Sequence, residues 1–443
     1  MAMERNPARQ NAGKSDDRAG FRFMKSTMVF WVCLLASGIA AASSTASSGT
    51  NIFDVRAFGA SGSGKTLDTV AIQTALDACD KAGGGIVRLP AGTYLSKPIW
   101  LHSQTTLQLD AGAMLKATDE RDDFAVKTMG KFNAFINGAK LTNVTISGPG
   151  TIDGSGGKWW VPAEEARQKK SGYTLPRPSL IVLAGCKNVC LENLRLQNSP
   201  KFHFMPAECE GVVVSNVTIL APPGSPNTDA IDPSSCKNVL LTRCRIDVGD
   251  DNVAIKSSHK VLDREFASED ITVTDCTFLH GHGVSIGSET SGGVKNLLVK
   301  NCTFNGTTSG IRIKSGRDRG GVVENLVYRD LVMTNVEIPI NITCYYPRIP
   351  PTDAAQPVTA STPAYRDIQI SDLVSVSQRS AGLIVGLPES CISNVVLENV
   401  KLSAETGLLI RNAKAIRLKD VKVTVQKGDP FTLKNAQVAG LEN

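Results

Sequence analysis

The sequence has few of the features that mark the commoner classes of protein. Aromatic residues make up 5% of its 443 residues, charged residues 20%, and the formal net charge is only +6. So small a net charge gives no case for a nucleic-acid partner, although it allows a locally basic cleft for an acidic polymer. A 3.6-residue apolar period is absent, which excludes a helical solenoid, and the composition shows no wholesale disorder.

The sequence also lacks a strong membrane anchor. An apolar run from about residue 28 to 42 is shorter than the roughly 20 residues of a spanning helix. It follows Arg18, Arg22 and Lys25, and small residues lead from it into a Ser/Thr-rich stretch, which is typical of a secretory signal peptide. We predict a signal peptide over 1–42, with any upstream extension ending before Met24, and a linker over 43–50. The mature chain is expected to be a secreted monomer without stable membrane association.

Two features resemble ligand sites without meeting their requirements. The stretch GSGKT at 62–66 lacks the four-residue gap between the glycines of a phosphate-binding P-loop. The cysteines that remain once Cys33 leaves with the signal peptide form no four-ligand cluster typical of zinc. We therefore predict neither a cofactor nor a metal.

From about residue 139 onward, one short pattern recurs. It reads Asn or Asp, apolar, any, apolar, any, Asn or Asp, apolar, any, apolar, as in NVCLENLRL at 188–196. Successive copies mostly begin 21 to 32 residues apart, which is enough for one full coil of a solenoid. The copies begin at Asn143, Asn188, Gly211, Asn238, Asp270, Asn296, Asn325, Asp367, Asn394 and Ala415.

The spacing within each copy predicts a corner. Apolar residues two apart alternate as on a strand, but the three-residue step in the middle would turn the second pair to the opposite face. The chain must therefore bend at the intervening Asn or Asp if both pairs are to stay inside. Two short strands around a corner, repeated at this period, predict an all-β, single-domain parallel β-helix over residues 51–443.

The open end of such a stack needs a cap, because it exposes strand edges and core. Residues 68–83 are predicted to supply a short capping helix, with Asp68 as N-cap and Gly83 at its end. Its inner face would carry Ile72, Leu76 and Cys79.

The cysteines fit the same repeat. Cys244, Cys276 and Cys302 occupy one repeat position where other copies carry aliphatic residues, so we predict a ladder of buried thiols. A second set shares another register, and its pairing stays open. This set consists of Cys186, Cys209 and Cys236.

Four consecutive coils carry polar motifs. They are SPNTDAIDPSS (225–235), VGDDNVAIKSS (248–258), HGHGVSIGSE (280–289) and SGIRIKSGRDRGG (309–321). Stacked strands lie ~4.8 Å apart, so residues distant in sequence become neighbours. We align Ile231, Ile255, Ile286 and Ile313, which predicts that Asn227, Asp251 and His282 lie in register with Asp229 and Asp250 close to them.

The alternation that buries Ile313 points Arg312 and Lys314 out of the core. Cations beside carboxylates suit an acidic sugar polymer. Closely spaced carboxylates suit acid/base chemistry, because mutual repulsion raises the pKa of at least one. Glycoside hydrolysis needs one protonated and one ionised carboxyl.

These motifs, NTD, GDD, GHG and RIK in this order, resemble the signature of the polygalacturonases, glycoside hydrolase family 28. The segments GTIDGSGGKWW (150–160) and RPSLI (177–181) are also similar to that family, as is the entry region from residue 51. The resemblance spans roughly residues 51–430. It implies a right-handed parallel β-helix that hydrolyses α-1,4 bonds between galacturonic acid residues of pectin.

The resemblance also implies roles for individual residues. Asp250 would be the general acid, and Asp229 with Asp251 would hold and deprotonate the attacking water, giving inversion. His282 would set the protonation of the acid. The residues implied to bind substrate are Asn227, Arg312, Lys314 and a tyrosine after RIK, for which we favour Tyr345 over Tyr346.

Three questions stay open in the sequence. Adjacent coils predict carboxylates near 5 Å apart, a separation that favours retention, so inversion rests on the resemblance alone. Trp159 and Trp160 either stack on sugar or pack beneath their loop. The residues within the GDD and GHG motifs favour endo action. The alternatives are an exo-acting enzyme, a calcium-dependent pectate lyase and a catalytically silent β-helix module.

Overall fold

The protein folds into a parallel β-helix, as predicted. The computed structural model describes residues 51–126, 131–169, 175–257 and 267–441, so the predicted signal peptide and linker lie outside it. Strands of successive coils pair in parallel throughout the main sheet. Among the strands of the described residues, only Ala125–Val126 and Lys131–Phe132 form an antiparallel pair. Within the described part of the chain, no helix has the length and apolarity to span a membrane.

Strands account for most of the described residues. In chain order they are β1 (Ile52–Asp54), β2 (Ser63–Leu67), β3 (Gly85–Leu89), β4 (Gly92–Ser96), β5 (Ile99–Trp100), β6 (Thr105–Leu109), β7 (Ala113–Ala117), β8 (Ala125–Val126), β9 (Lys131–Phe132), β10 (Ile136–Ala139), β11 (Thr142–Ser147), β12 (Thr151–Asp153), β13 (Ile181–Ala184), β14 (Lys187–Glu192), β15 (Arg195–Gln197), β16 (Phe204–Ala207), β17 (Glu210–Ser215), β18 (Thr218–Leu220), β19 (Lys237–Thr242), β20 (Arg245–Asp247), β21 (Val253–Ser257), β22 (Ser268–Thr274), β23 (Thr277–Phe278), β24 (Val284–Thr290), β25 (Val294–Asn305), β26 (Ser309–Lys314), β27 (Val322–Val336), β28 (Ile338–Thr343), β29 (Ala364–Ser377), β30 (Ser380–Val385), β31 (Ile392–Ala404), β32 (Thr406–Val425) and β33 (Phe431–Ala439).

Each coil contributes strands to three faces. The strand before the predicted corner stacks in one face, as in β14, β17 and β19, and the strand after it in a second, as in β15, β18 and β20. The third face contains β21, β24, β26 and β28 and carries the polar motifs. From β25 onward, one long strand runs around the corner and covers the first two faces.

The corners form at the predicted residues. Asn188 and Asn193 both have positive φ, at 55° and 58°, a conformation that asparagine tolerates better than most residues. Leu191 and Leu194, on either side of the corner, are both buried. Side-chain amides also stack between coils, as where Asn188 Nδ2 donates to Asn143 Oδ1 at 2.9 Å. The bend therefore keeps both apolar pairs inside, as the three-residue step predicts.

The capping helix α1 (Thr69–Lys81) covers the first coil. The three apolar residues predicted for its inner face, Ile72, Leu76 and Cys79, are fully buried. Asp68 precedes the helix but its side chain does not cap it. Its carboxylate instead accepts hydrogen bonds from the backbone and hydroxyl of Ser61, which fixes the preceding turn. Two further helices, α2 (Arg121–Phe124) and α3 (Gly157–Gln168), and a 3₁₀ turn (Val55–Phe58) lie on the outside of the coils.

The predicted thiol ladder is confirmed. All ten cysteines in the described residues are free thiols. Cys244, Cys276 and Cys302 are buried on successive coils, and Cys276 Sγ accepts a hydrogen bond from the Cys244 backbone N–H at 3.4 Å. The second set, Cys186, Cys209 and Cys236, is likewise buried and unpaired.

One predicted register is wrong. Ile255, Ile286 and Ile313 are in register as predicted, but Ile231 pairs with Val253, two residues from the predicted position. A shift of two residues keeps the same side chains inside, so the apolar pattern could not distinguish the two alignments. The correction matters for the site, because two residues before this pair are Asp229 and Asp251. Asp229, not Asn227, therefore lies in register with Asp251.

Candidate active site

Three carboxylates meet at the start of the third-face strands. Asp229 lies just before the bridge made by Ile231, and Asp250 and Asp251 fill the turn between β20 and β21. One oxygen from each carboxylate lies within 4.8 Å of the others. Asp229 and Asp251 are buried, whereas Asp250 is partly exposed. The separation agrees with the value of about 5 Å expected for adjacent coils.

Asp251 is held as a carboxylate by a full set of donors. Its Oδ1 accepts hydrogen bonds from Ser285 Oγ at 2.7 Å and Arg312 NH1 at 2.9 Å, and its Oδ2 accepts one from Lys314 Nζ at 2.8 Å. Burial raises the pKa of Asp251, but Lys314, Arg312 and His282 outweigh it and hold the pKa well below its ordinary value. Asp251 is therefore ionised across the neutral range.

The side chains of Arg312 and Lys314 leave the core where the sequence predicts. Both lie on β26, flanking the buried Ile313. Lys314 is only 7% exposed, because the cleft walls and Asp251 enclose its ammonium group. Each cation thus has a carboxylate partner while also lining the cleft that substrate would enter.

The environment of Asp229 is the opposite of that of Asp251. Its Oδ1 is buried without a hydrogen-bond partner among the described residues, and its nearest cation is Lys256, whose Nζ lies 3.6 Å from Oδ2. Burial, followed by the charges of Asp232 and Asp250, raises the pKa of Asp229 well above its ordinary value, while Lys256 opposes the rise. The cluster therefore contains one carboxyl that readily holds a proton beside one that does not.

His282 lies beside Asp250, as the resemblance implies. Its Nε2 is 3.7 Å from Asp250 Oδ1, and its Nδ1 is 2.7 Å from Thr308 Oγ1. Burial lowers the pKa of His282 although Asp250 partly opposes this. The imidazole is therefore neutral near pH 7 and can pass a proton to or from the carboxyl beside it.

Asn227 is fixed by a buried arginine. Arg177 NH2 donates to Asn227 Oδ1 at 2.7 Å, and its NH1 donates to the carbonyls of Pro200 and Pro226 at 2.8 and 2.6 Å. Burial lowers the pKa of Arg177 to about 10 although Asp229 and Asp250 oppose it. Arg177 thus ties the NTD turn to the preceding coil.

The cleft consists of two recesses of about 600 Å³ each that meet at the cluster of three carboxylates. The first recess lies at the start of the third-face strands and reaches Arg177, Arg348 and α3. The second lies at the ends of those strands and reaches Lys256 and Arg319. Residues shared by both recesses are Asn227, Asp250, Lys314 and Tyr346.

The structure does not bring Tyr345 into this cleft. Tyr345 is buried, and its hydroxyl donates to Asp353 Oδ2 at 2.7 Å, because the next turn folds over it. Tyr346 is 38% exposed, and Lys314 Nζ lies 5.5 Å from the centre of its ring. Of the two tyrosines, Tyr346 lines both recesses of the cleft and Tyr345 lines neither.

Of the two tryptophans of α3, Trp159 packs beneath its loop. Trp159 is almost fully buried and makes edge-to-face contacts with Phe124 and Phe132. Trp160 donates its indole N–H to the carbonyl of Ser199 at 3.0 Å. Trp160 is half-buried, and neither indole lines the two recesses of the cleft.

Taken as chemistry, this site pairs proton-transfer groups with cations. Its carboxylate oxygens are spaced so that they could hold a metal ion. However, both oxygens of Asp251 already accept hydrogen bonds from protein donors. A β-helix that carries clustered carboxylates of unequal pKa beside two cations is typical of a carbohydrate-active hydrolase.

Comparison with known proteins agrees with this class. The model of glycosyl hydrolases family 28 matches residues 79–432, and the chain belongs to that family of glycoside hydrolases. The endo-polygalacturonase of Pectobacterium parmentieri is 37% identical over 366 residues, which cover 78% of this chain and 86% of that protein.

Two solved structures share the fold. The polygalacturonase of Erwinia carotovora ssp. carotovora has a TM-score of 0.67 at 33% sequence identity. The matched region covers 85% of this chain and 94% of the chain of that enzyme. The hyperthermoactive exopolygalacturonase of Thermotoga maritima has a TM-score of 0.70 at 27% sequence identity. Here the matched region covers 81% of this chain and 90% of the chain of that enzyme. Similarity thus extends to enzymes described as endo-acting and as exo-acting.

Sequence reasoning missed several residues of the site. Arg177 begins the RPSLI segment, whose likeness to the family was a usable signal. Lys256 and Asp232 lie within the GDD and NTD motifs, but their mutual contact could not be seen while the register of Ile231 was wrong. Ser285 gave no signal, because a serine beside a glycine-rich turn is most often structural.

Proposed function

We propose that the protein is an exported polygalacturonase that hydrolyses α-1,4 bonds between galacturonate residues of pectin. The observation that supports this function is a cleft in which three carboxylates lie beside two cations. The carboxylates belong to Asp229, Asp250 and Asp251, and the cations are Arg312 and Lys314. Carboxylates supply the acid and base of glycoside hydrolysis, and the cations suit a polymer with one carboxylate per sugar. The relatives named endo-polygalacturonase and polygalacturonase support the substrate class.

Asp250 is proposed as the general acid. It is the most exposed of the three carboxyls, so it can reach a glycosidic oxygen, and His282 lies beside it to set its protonation. Asp229 and Asp251 are proposed to orient the attacking water, with Asp229 taking its proton. A base whose pKa is raised toward the working pH transfers protons efficiently.

We propose an inverting outcome. The carboxylate separation alone would be typical of retention, which needs a free anionic nucleophile. Both oxygens of Asp251 accept hydrogen bonds from protein donors, so this carboxylate is not free to attack the sugar directly. Proton NMR of the first product should therefore show the β-anomer before mutarotation. A first product in the α-configuration would contradict inversion.

We further propose endo action. The recesses continue on both sides of Asp250, so a polymer can pass through the cluster along the strand direction. Viscosity of a polygalacturonate solution should fall steeply while few reducing ends have formed, and early products should be mixed oligomers. A slow fall in viscosity with only monomer or dimer released would show exo action instead.

Tyr346 is proposed as the sugar-contacting tyrosine in place of Tyr345. We expect Tyr346→Ala to raise KM for polygalacturonate by about 2- to 10-fold, the loss of one aromatic contact, with the melting temperature unchanged. Tyr345→Phe is the matched control, because it removes the hydroxyl bond to Asp353 and should lower the melting temperature instead. An unchanged KM in Tyr346→Ala would contradict the assignment.

A further inference from the structure

Lys256 occupies a position that the roles above do not explain. Its Nζ lies 2.6 Å from Asp232 Oδ2 and 3.6 Å from Asp229 Oδ2. The ammonium group also lies 4.5 Å from the centre of the Phe202 ring, and its side chain is only 19% exposed, toward the second recess. One half-buried cation is thus shared unequally between two carboxylates, one of which, Asp229, belongs to the cluster of three.

The surroundings of Asp229 are short of positive charge. Carboxylates face it from the same segment, at Asp232, and from the GDD turn, at Asp250 and Asp251. Two other cations act on it from further away, Arg177 and Lys201. Arg177 donates to backbone carbonyls and Asn227, and within the described parts of the chain Lys256 is the one cation within 4 Å of Asp229.

We propose that Lys256 and Asp232 are positioning residues of the reaction. The ammonium of Lys256 keeps Asp229 available as a base, and Asp232 limits this effect by drawing the ammonium toward itself. The inference deepens the proposed function and rests on it, because it takes Asp229 as the group that deprotonates water.

The electrostatics agree with this geometry. Burial and then Asp232 raise the pKa of Asp229, whereas Lys256 lowers it. Burial also raises the pKa of Asp232 to about 6, against the opposing effect of Lys256. Loss of Lys256 should therefore raise the pKa of Asp229 further, and loss of Asp232 should lower it.

The test is the pH dependence of kcat/KM on polygalacturonate, whose acidic limb reports the base of the free enzyme. Lys256→Gln should move this limb to higher pH by about one unit or more, the effect of losing an adjacent opposite charge. Asp232→Asn should move it to lower pH, and the double variant should lie near the wild type. Lys237→Gln is the matched control, because Lys237 pairs with Glu269 on the outside of the coil.

Each other outcome overturns the inference. A higher KM in Lys256→Gln with an unmoved limb would show that Lys256 binds substrate carboxylates instead. Equal losses of activity at all pH values would show a purely structural pair. If Lys256→Gln does not fold, Asp232→Asn and the double variant decide, because neither leaves Asp232 as an unpaired buried charge. Absence of any hydrolysis by the wild type would instead contradict the proposed function.

Discussion

Replacing Asp250 by asparagine is expected to lower kcat on polygalacturonate by about 10²- to 10⁴-fold, the usual loss when a general acid is removed. The amide keeps the size of the side chain and can still accept the backbone N–H of Asp251, so the turn should stay intact. What it cannot do is protonate the glycosidic oxygen. Steady-state kinetics with a measured melting curve separate this loss from unfolding.

The control for this variant is Asp247→Asn, three residues earlier on β20. Asp247 binds His280 at 2.8 Å outside the catalytic cluster, so its replacement should leave kcat nearly unchanged. A galacturonide whose leaving group needs no proton should also restore much of the activity of Asp250→Asn and none of the activity of an Asp229 variant. Near-wild-type turnover of Asp250→Asn on the polymer would overturn the assignment.

Asp229→Asn is expected to have two effects of opposite sign. Turnover should fall by at least ~10²-fold, because an amide cannot take a proton from water. The melting temperature at neutral pH should instead rise by roughly 1 to 3 °C, because the variant removes a buried charge whose Oδ1 has no partner. Differential scanning calorimetry beside kinetics measures both.

The raised pKa of Asp229 determines how the gain in melting temperature of Asp229→Asn depends on pH. Because the folded protein holds this proton more tightly than the unfolded chain, Asp229 stabilises the fold below its ordinary pKa, and that stabilisation is lost as pH rises. The advantage of Asp229→Asn should therefore be present at neutral pH and disappear in acid. Asp153→Asn is the contrasting control, because its carboxylate accepts three hydrogen bonds and its replacement should destabilise. A lower melting temperature for Asp229→Asn would contradict the account.

The fold was predictable because its signal is repeated. Each coil carries the same apolar spacing and the same Asn or Asp corner, so independent copies support one architecture. The capping of α1 was less predictable, because Asp68 could serve either the helix or the turn before it. Side-chain hydrogen bonds of short polar residues compete in this way, and sequence does not show which wins.

The sequence predicted which residues come together in the site better than it predicted their contacts. Motif order brought Asp229, Asp250, Asp251 and His282 to one face, since neighbouring coils bring them together. The two-residue error at Ile231 arose because alternation has a period of two and cannot detect such a shift.

The sequence could not decide between the two tyrosines for a related reason. Tyr345 and Tyr346 are adjacent after the last motif, and the direction of each side chain depends on the loop that follows. The Tyr345 hydroxyl donates to Asp353, and two guanidinium groups have their centres 5.6 and 5.4 Å from its ring. These partners, Arg317 and Arg411, lie far from it in sequence.

The most direct test of the central claim is incubation of the purified protein with polygalacturonate, with and without EDTA, followed by analysis of the products. The account predicts new reducing ends on saturated oligogalacturonides, formed at the same rate in the chelator, with no ultraviolet absorbance from unsaturated sugars. Unsaturated products whose formation stops in EDTA would show a calcium-dependent lyase and contradict the account.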